Sequence, residues 1–158
     1  MATSDSEQTT ASPSTGQGTI PLRRKTEAAP VASGGSFYEL VGGSETFRRI
    51  AASFYENVRQ EPLLLPLYPQ DDLDGAARRL QLFLEQYWGG PHTYQEERGH
   101  PRLRMRHAPY KIGIAERDAW LRAMRGAMDS VALAPEHDQA MWEYMVRAAD
   151  FMRNTQEA

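Results

Sequence analysis

From Ser36 onward, large apolar side chains recur every three or four positions, and no window alternates with the period of two that a half-buried strand requires. The pattern predicts an all-α domain. Phe37, Leu40 and Val41 precede Gly42-Gly43, which breaks the chain, and Ser44 stands where it can cap a helix with Phe47, Ile50, Phe54, Tyr55 and Val58 on its apolar face. Pro62 and Pro66 impose a turn-rich connection through Leu63, Leu64, Leu65, Leu67 and Tyr68. A second long helix opens at Asp71 or Asp72 and aligns Leu73, Ala76, Ala77, Leu80, Phe83, Leu84 and Tyr87 until Gly89-Gly90-Pro91 stops it. Residues 91–101 read as loop. A short helix follows between Pro101 and His107, then a long one from about Ala115 bearing Trp120, Met124, Ala127, Met128 and Val131. Pro135 starts the last helix, whose face is Met141, Tyr144, Met145, Ala148, Phe151 and Met152. Four long helices and a short one result, without an internal repeat or a sustained heptad.

Residues 1–35 have a different texture. They are rich in Ser, Thr, Gly, Pro and Ala with hardly a large apolar side chain, so folding could not recover its entropy cost there, and a disordered tail is expected ahead of a single domain over 36–158. Arg23, Arg24 and Lys25 balance Asp5, Glu7 and Glu27, which leaves the whole formal charge of -3 on the domain. That charge argues against a general nucleic-acid binder. No apolar run reaches the roughly 18 residues of a membrane span, and the first segment lacks the apolar core of a signal peptide, so a cytoplasmic protein is the expectation. The chain has no cysteine, which excludes disulfides, thiolate nucleophiles and iron–sulfur ligation. Any site must be built from His, Tyr, Trp, carboxylates or backbone.

One segment concentrates such residues. Between Gly99 and Pro109 a histidine sits at the end of a two-turn peg, because Pro101 can start a helix at no hydrogen-bond cost and Pro109 disfavours helical torsions at Ala108. Arg98, Arg102, Arg104, Arg106 and Lys111 surround His107, and no acidic residue falls between positions 98 and 111. This arrangement suits a metal-centred, anionic cofactor that needs one fixed imidazole. Taken alone, His107 reads more readily as a packed or surface histidine. His92, His100 and His137 fall in loop or in a polar helical turn and are expected to be solvated, and no paired-histidine spacing marks a zinc site.

Polar-tipped aromatics supply the context. Tyr55, Tyr68 and Trp120 lie on three segments with otherwise apolar faces, and each needs a partner for its O–H or N–H if buried. Each could find a backbone carbonyl. Together they could instead converge on one guest that accepts hydrogen bonds.

Phe54-Tyr55, Tyr68-Pro69, Asp71-Asp72-Leu73, the run from Phe83 to Pro91, the run from Arg98 to Pro109, and Glu116-Arg117-Asp118-Ala119-Trp120-Leu121 together resemble the truncated haemoglobins of the second group. The resemblance covers about Ser36 to Met152. It implies a two-over-two helical sandwich that holds haem b (iron protoporphyrin IX), with His107 as the proximal iron ligand. Across the haem it implies a polar pocket of Tyr55, Tyr68 and Trp120, which would also be the catalytic groups in any redox turnover. It further implies Ala76 where larger globins place a distal histidine, and Leu80, Phe83 and Leu84 as apolar wall. Arg104, Met105, Lys111 and Tyr94 are implied as cofactor contacts, the basic ones and Tyr94 toward the propionates. Lys111 stands where relatives often carry arginine, and offers a point charge in place of a bidentate fork.

The expected function is therefore reversible binding of dioxygen, nitric oxide, carbon monoxide or peroxide, with an unidentified reductant and, as in many relatives, a homodimer. A bound diatomic that takes on negative charge would accept hydrogen bonds worth about 1.5–3 kcal/mol each. Two of them slow its release by roughly two to four decades, so a firm hold would deliver oxygen poorly. Oxygen binding and transport is expected, with nitric oxide oxidation or peroxidase-like turnover on the same iron as a further activity that the residues alone do not separate from it. The alternative is a cofactor-free helical interaction module whose methionine face and arginine run bind a partner.

Overall fold

The computed structural model describes residues 35–155, and the expected tail, apart from its last residue, lies outside the described residues. Among the described residues every regular element is helical. The order is α1 (Phe37–Leu40), α2 (Gly43–Arg59), a 3-10 turn (Leu65–Leu67), α3 (Leu73–Tyr87), α4 (Thr93–Arg98), α5 (Leu103–His107), α6 (Ile114–Val131) and α7 (Pro135–Met152). The four long helices stand where the periodicity puts them.

Their apolar faces explain the assembly. On α2, Phe47, Ile50, Ala51, Phe54, Tyr55 and Val58 are all buried, a stripe wide enough to pack on two partners at once. α2 lies against both α3 and α6, and α6 lies against α7, so two helix pairs stack through the α2–α6 crossing in a two-over-two sandwich. Met124, Met128, Met141 and Met145 fill the core with side chains flexible enough to interdigitate. Asn57 adds a polar tie, donating to the Ala123 carbonyl of α6 at 2.9 Å. Arg125 joins α6 to α7 by binding Asp138, with its guanidinium 4.9 Å from the Trp142 ring centre, and also pairs with Asp129 on its own helix.

Helix ends show where local chemistry differs from the sequence reading. α2 begins at Gly43, not after a capping Ser44: Gly42 is the N-cap, and Gly42 and Gly43 take φ of +113° and +67°. Two left-handed residues in succession reverse the chain tightly behind α1, which only glycine does without strain. Asp72 caps α3 as expected, accepting from the Gly75 N–H. The loop expected over 91–101 contains α4, because Tyr94 finds an apolar seat against Phe83, with ring centres 5.7 Å apart. Phe151, expected in the core, is 55% exposed beside the Arg104 guanidinium. His137 is half-buried, its ring edge-on to Phe37, so it is not simply solvated.

α5 differs most. Pro101 does not start it; Arg102 is the N-cap with φ of +43°, and the helix has five residues. Ala108 keeps right-handed helical torsions, so Pro109 ends α5 by lacking an N–H and not by displacing its neighbour. None of the residues of α5 is fully buried.

Candidate functional site

A cavity of about 290 Å³ opens between α2, α3, α5, α6 and α7. Leu80, Phe83, Leu84 and Ala76 form its wall along α3, since the half-buried side of that helix turns inward where the core stops. Met145, Ala148, Ala149 and Met152 line it from α7.

His107 enters from α5. Its Nδ1 lies 2.6 Å from the Leu103 carbonyl oxygen, and a carbonyl can only accept, so Nδ1 carries the proton and Nε2 is left as a lone-pair donor. The same bond fixes the ring orientation and makes Nε2 the better ligand atom. A single histidine with this tautomer is suited to ligating a metal that is held mainly by something else. Among the described residues no cluster of three or more His, Cys, Asp or Glu could hold a bare ion.

Tyr55, Tyr68 and Trp120 also line the cavity and touch one another around Phe54. The Tyr55 and Tyr68 rings meet edge to face at 5.3 Å. The Trp120 indole N–H donates to the Tyr68 phenol oxygen, which leaves the Tyr68 O–H to point elsewhere. Burial pushes the Tyr55 phenol far above the ordinary tyrosine range, the nearby Tyr68 adds to this, and Arg79 opposes it. Burial raises Tyr68 likewise, against the pull of the Trp120 bond. Both phenols therefore stay protonated and able to donate. Tyr94 lines the cavity and is buried.

Three residues named from the resemblance are elsewhere. Arg104 donates to the carbonyls of Phe151 at 2.7 Å and Arg153 at 3.4 Å, which spends its guanidinium on the end of α7. Met105 is 58% exposed and Lys111 is exposed, and neither lines the cavity. A five-residue helix can turn only one narrow face inward, and Leu103, Arg106 and His107 take it.

The cavity is lined instead by Arg79, Arg98, Arg106 and Arg117. Arg79 pairs with Asp72 at 3.3 Å, Arg106 donates to the Pro101 and Arg98 carbonyls, and Arg117 binds Asp118 and Asp150. Among these four, the Arg98 side chain has neither hydrogen bond nor ion pair among the described residues. The spacing of Arg79, three residues after Ala76 and four before Phe83, is the signal that could have found it. Glu116, also in the lining, is engaged by the Gly113 N–H at 3.1 Å in the capping box of α6.

A second recess of about 530 Å³ lies outside, between α2 and α3. Its arginines are neutralised locally, Arg48 by Glu45, Arg59 by Glu56 and Arg78 by Glu97. It offers no comparable chemistry.

Residues 36–154 match the family described as bacterial-like globin. The chain is 43% identical over 121 residues to Group 2 truncated hemoglobin YjbI of Bacillus subtilis (strain 168), covering 77% of this chain and 90% of that protein. Its structure is similar to that of a thermostable hemoglobin from the actinobacterium Thermobifida fusca, at 58% identity and a TM-score of 0.76, over 78% of this chain and all of the other. It is also similar to a truncated oxygen-avid haemoglobin from Bacillus subtilis, at 42% identity and a TM-score of 0.72, over 76% of this chain and all of the other.

Proposed function

The chain belongs to the bacterial-like globin family, and on that premise we propose that it holds haem b in the apolar cavity and binds dioxygen and other diatomic ligands there. The observation that carries this reading is the imidazole of His107, locked by the Leu103 carbonyl with Nε2 left to ligate, at the edge of a cavity walled by Leu80, Phe83 and Leu84. The donor set fits the group. An apolar wall suits a porphyrin body, and Arg98, whose guanidinium has no anionic partner in the lining, suits a propionate. Tyr94 would assist from α4.

When bound, the haem supplies an iron with one position open to dioxygen, nitric oxide or carbon monoxide. The chain supplies the rest. Tyr55 and Tyr68 present protonated donors to any guest that accepts hydrogen bonds, Trp120 orients the Tyr68 hydroxyl through its N–H, and Ala76, with its small side chain, leaves room on the same side. Prearranged donors in a cavity of low polarity act more strongly than in water, since water does not compete for them.

This donor set favours firm retention, so nitric oxide dioxygenation or peroxidase-like reduction of peroxide is proposed ahead of oxygen transport. The proposed setting is the cytoplasm, with a separate reductant and a homodimeric assembly. Among the described residues no helix is long and apolar enough to cross a membrane.

The deciding experiment is an absorption spectrum of the ferrous protein with and without oxygen, followed by stopped-flow release. A Soret band that moves on oxygenation is expected. A colourless, folded protein that takes up no added haem would overturn the assignment and favour an interaction module. Fast oxygen release would favour storage or transport over redox work.

A further inference from the structure

A five-residue helix with no buried residue is too short to hold its own shape and too exposed to be held by the core. Yet α5 must present His107 in one orientation. Two sets of bonds hold it. Upstream, Arg106 donates to the Pro101 carbonyl at 2.7 Å and the Arg98 carbonyl at 3.0 Å, which closes the loop on itself. Downstream, the bonds come from beyond the last helix. Asn154 Nδ2 donates to the carbonyl of His107 itself at 3.3 Å and to that of Tyr110 at 2.7 Å. Asn154 Oδ1 accepts from the Ile112 N–H at 2.9 Å, and the Asn154 N–H donates to the Ile112 carbonyl at 3.0 Å. Arg104 adds its bonds from α5 to the end of α7.

We infer that Asn154 is a positioning residue for His107: the C-terminal segment sets the orientation of the proximal imidazole through the His107 carbonyl, and so tunes the bond that imidazole makes. The chemistry explains why an asparagine is needed. The strap must donate to two carbonyls and accept from one N–H at the same time, and a carboxamide is the side chain with both functions on one plane. Aspartate has the same shape but cannot donate, and would set a negative charge against two carbonyl oxygens.

The inference rests on His107 being the haem ligand, and the variants keep the two claims apart. Asn154→Asp and Asn154→Ala would be made in the full chain beside His107→Ala, with helical content followed by circular dichroism. The main readout is the iron–imidazole stretching band of the ferrous protein in resonance Raman. The second is the rate of haem transfer to an apoglobin acceptor. Both Asn154 variants should shift the band and speed haem loss about tenfold, the lower end of what loss of an outer partner costs a ligand. Asn154→Gln, which keeps both functions on a longer arm, should recover part of the shift. Should His107→Ala retain the wild-type spectrum, the ligand assignment itself fails. Should His107→Ala lose the pigment while both Asn154 variants keep the wild-type band and haem-loss rate, the positioning role alone is overturned. Faster haem loss with an unmoved band would also overturn it, because that is what a merely structural strap gives.

Discussion

The Nδ1–H of His107 donates to the Leu103 carbonyl oxygen 2.6 Å away, one turn back along α5. That bond sets the tautomer and aims the other nitrogen, so the chemistry of the site depends on a backbone group that sequence substitutions cannot delete. Replacing the ring is the direct test. Because α5 buries no residue, His107→Ala should leave the helices intact and abolish stable haem retention. Matched circular dichroism and Soret absorbance after reconstitution would measure both.

Trp120 is the donor in the bond to Tyr68 and also packs on Phe54, with ring centres 5.3 Å apart. Trp120→Phe keeps an aromatic surface there and removes the N–H. A lost hydrogen bond of about 1.4 kcal/mol corresponds to a tenfold rate change. Stopped-flow oxygen dissociation should therefore quicken by about one decade with thermal stability little altered. Unchanged release would remove Trp120 from the polar pocket.

Burial pushes the phenols of Tyr55, Tyr68 and Tyr144 above the usual tyrosine range, so the folded chain keeps their protons where free tyrosine, with a pKa of about 10, would lose them. Above that pH the unfolded chain binds fewer protons than the folded one, and stability falls as pH rises. Their contribution is intact below about pH 10 and lost progressively beyond it. Alkaline difference spectra should show these tyrosinates appearing only together with loss of helical signal.

Arg125 ties α6 to α7 through Asp138, pairs with Asp129 on its own helix and lies over Trp142. Arg125→Ala strands the Asp138 carboxylate between the helices and should cost about 1–2 kcal/mol. For a chain of this size that lowers Tm by roughly 3–8 °C. A calorimetric scan checks it, and ligand kinetics should not move, since Arg125 is not part of the cavity lining.

Much of this was legible in the chain itself. Phe47, Ile50, Phe54, Tyr55 and Val58 recur at helical spacing, and burial on one face follows from that spacing alone. Asp72 before α3 and Pro135 opening α7 are local signals that depend on neighbouring backbone only. His107 stood out because a basic, acid-free run framed it, and Tyr55, Tyr68 and Trp120 because polar tips on apolar stripes need partners.

What the chain alone could not supply involves residues far apart in it. Arg104 looked like an anion ligand from composition, and only the arrival of the α7 end beside α5 gave its guanidinium two carbonyls to bind. Asn154 carried no signal, because its bonds cross to residues 107–112 and exist only once α7 has packed on α6. Periodicity and capping are local properties and so survive in one dimension. The tautomer of His107, the position of Met105 and Lys111 outside the cavity lining and that of Arg98 within it follow from tertiary packing, which decides which of several competent groups come together.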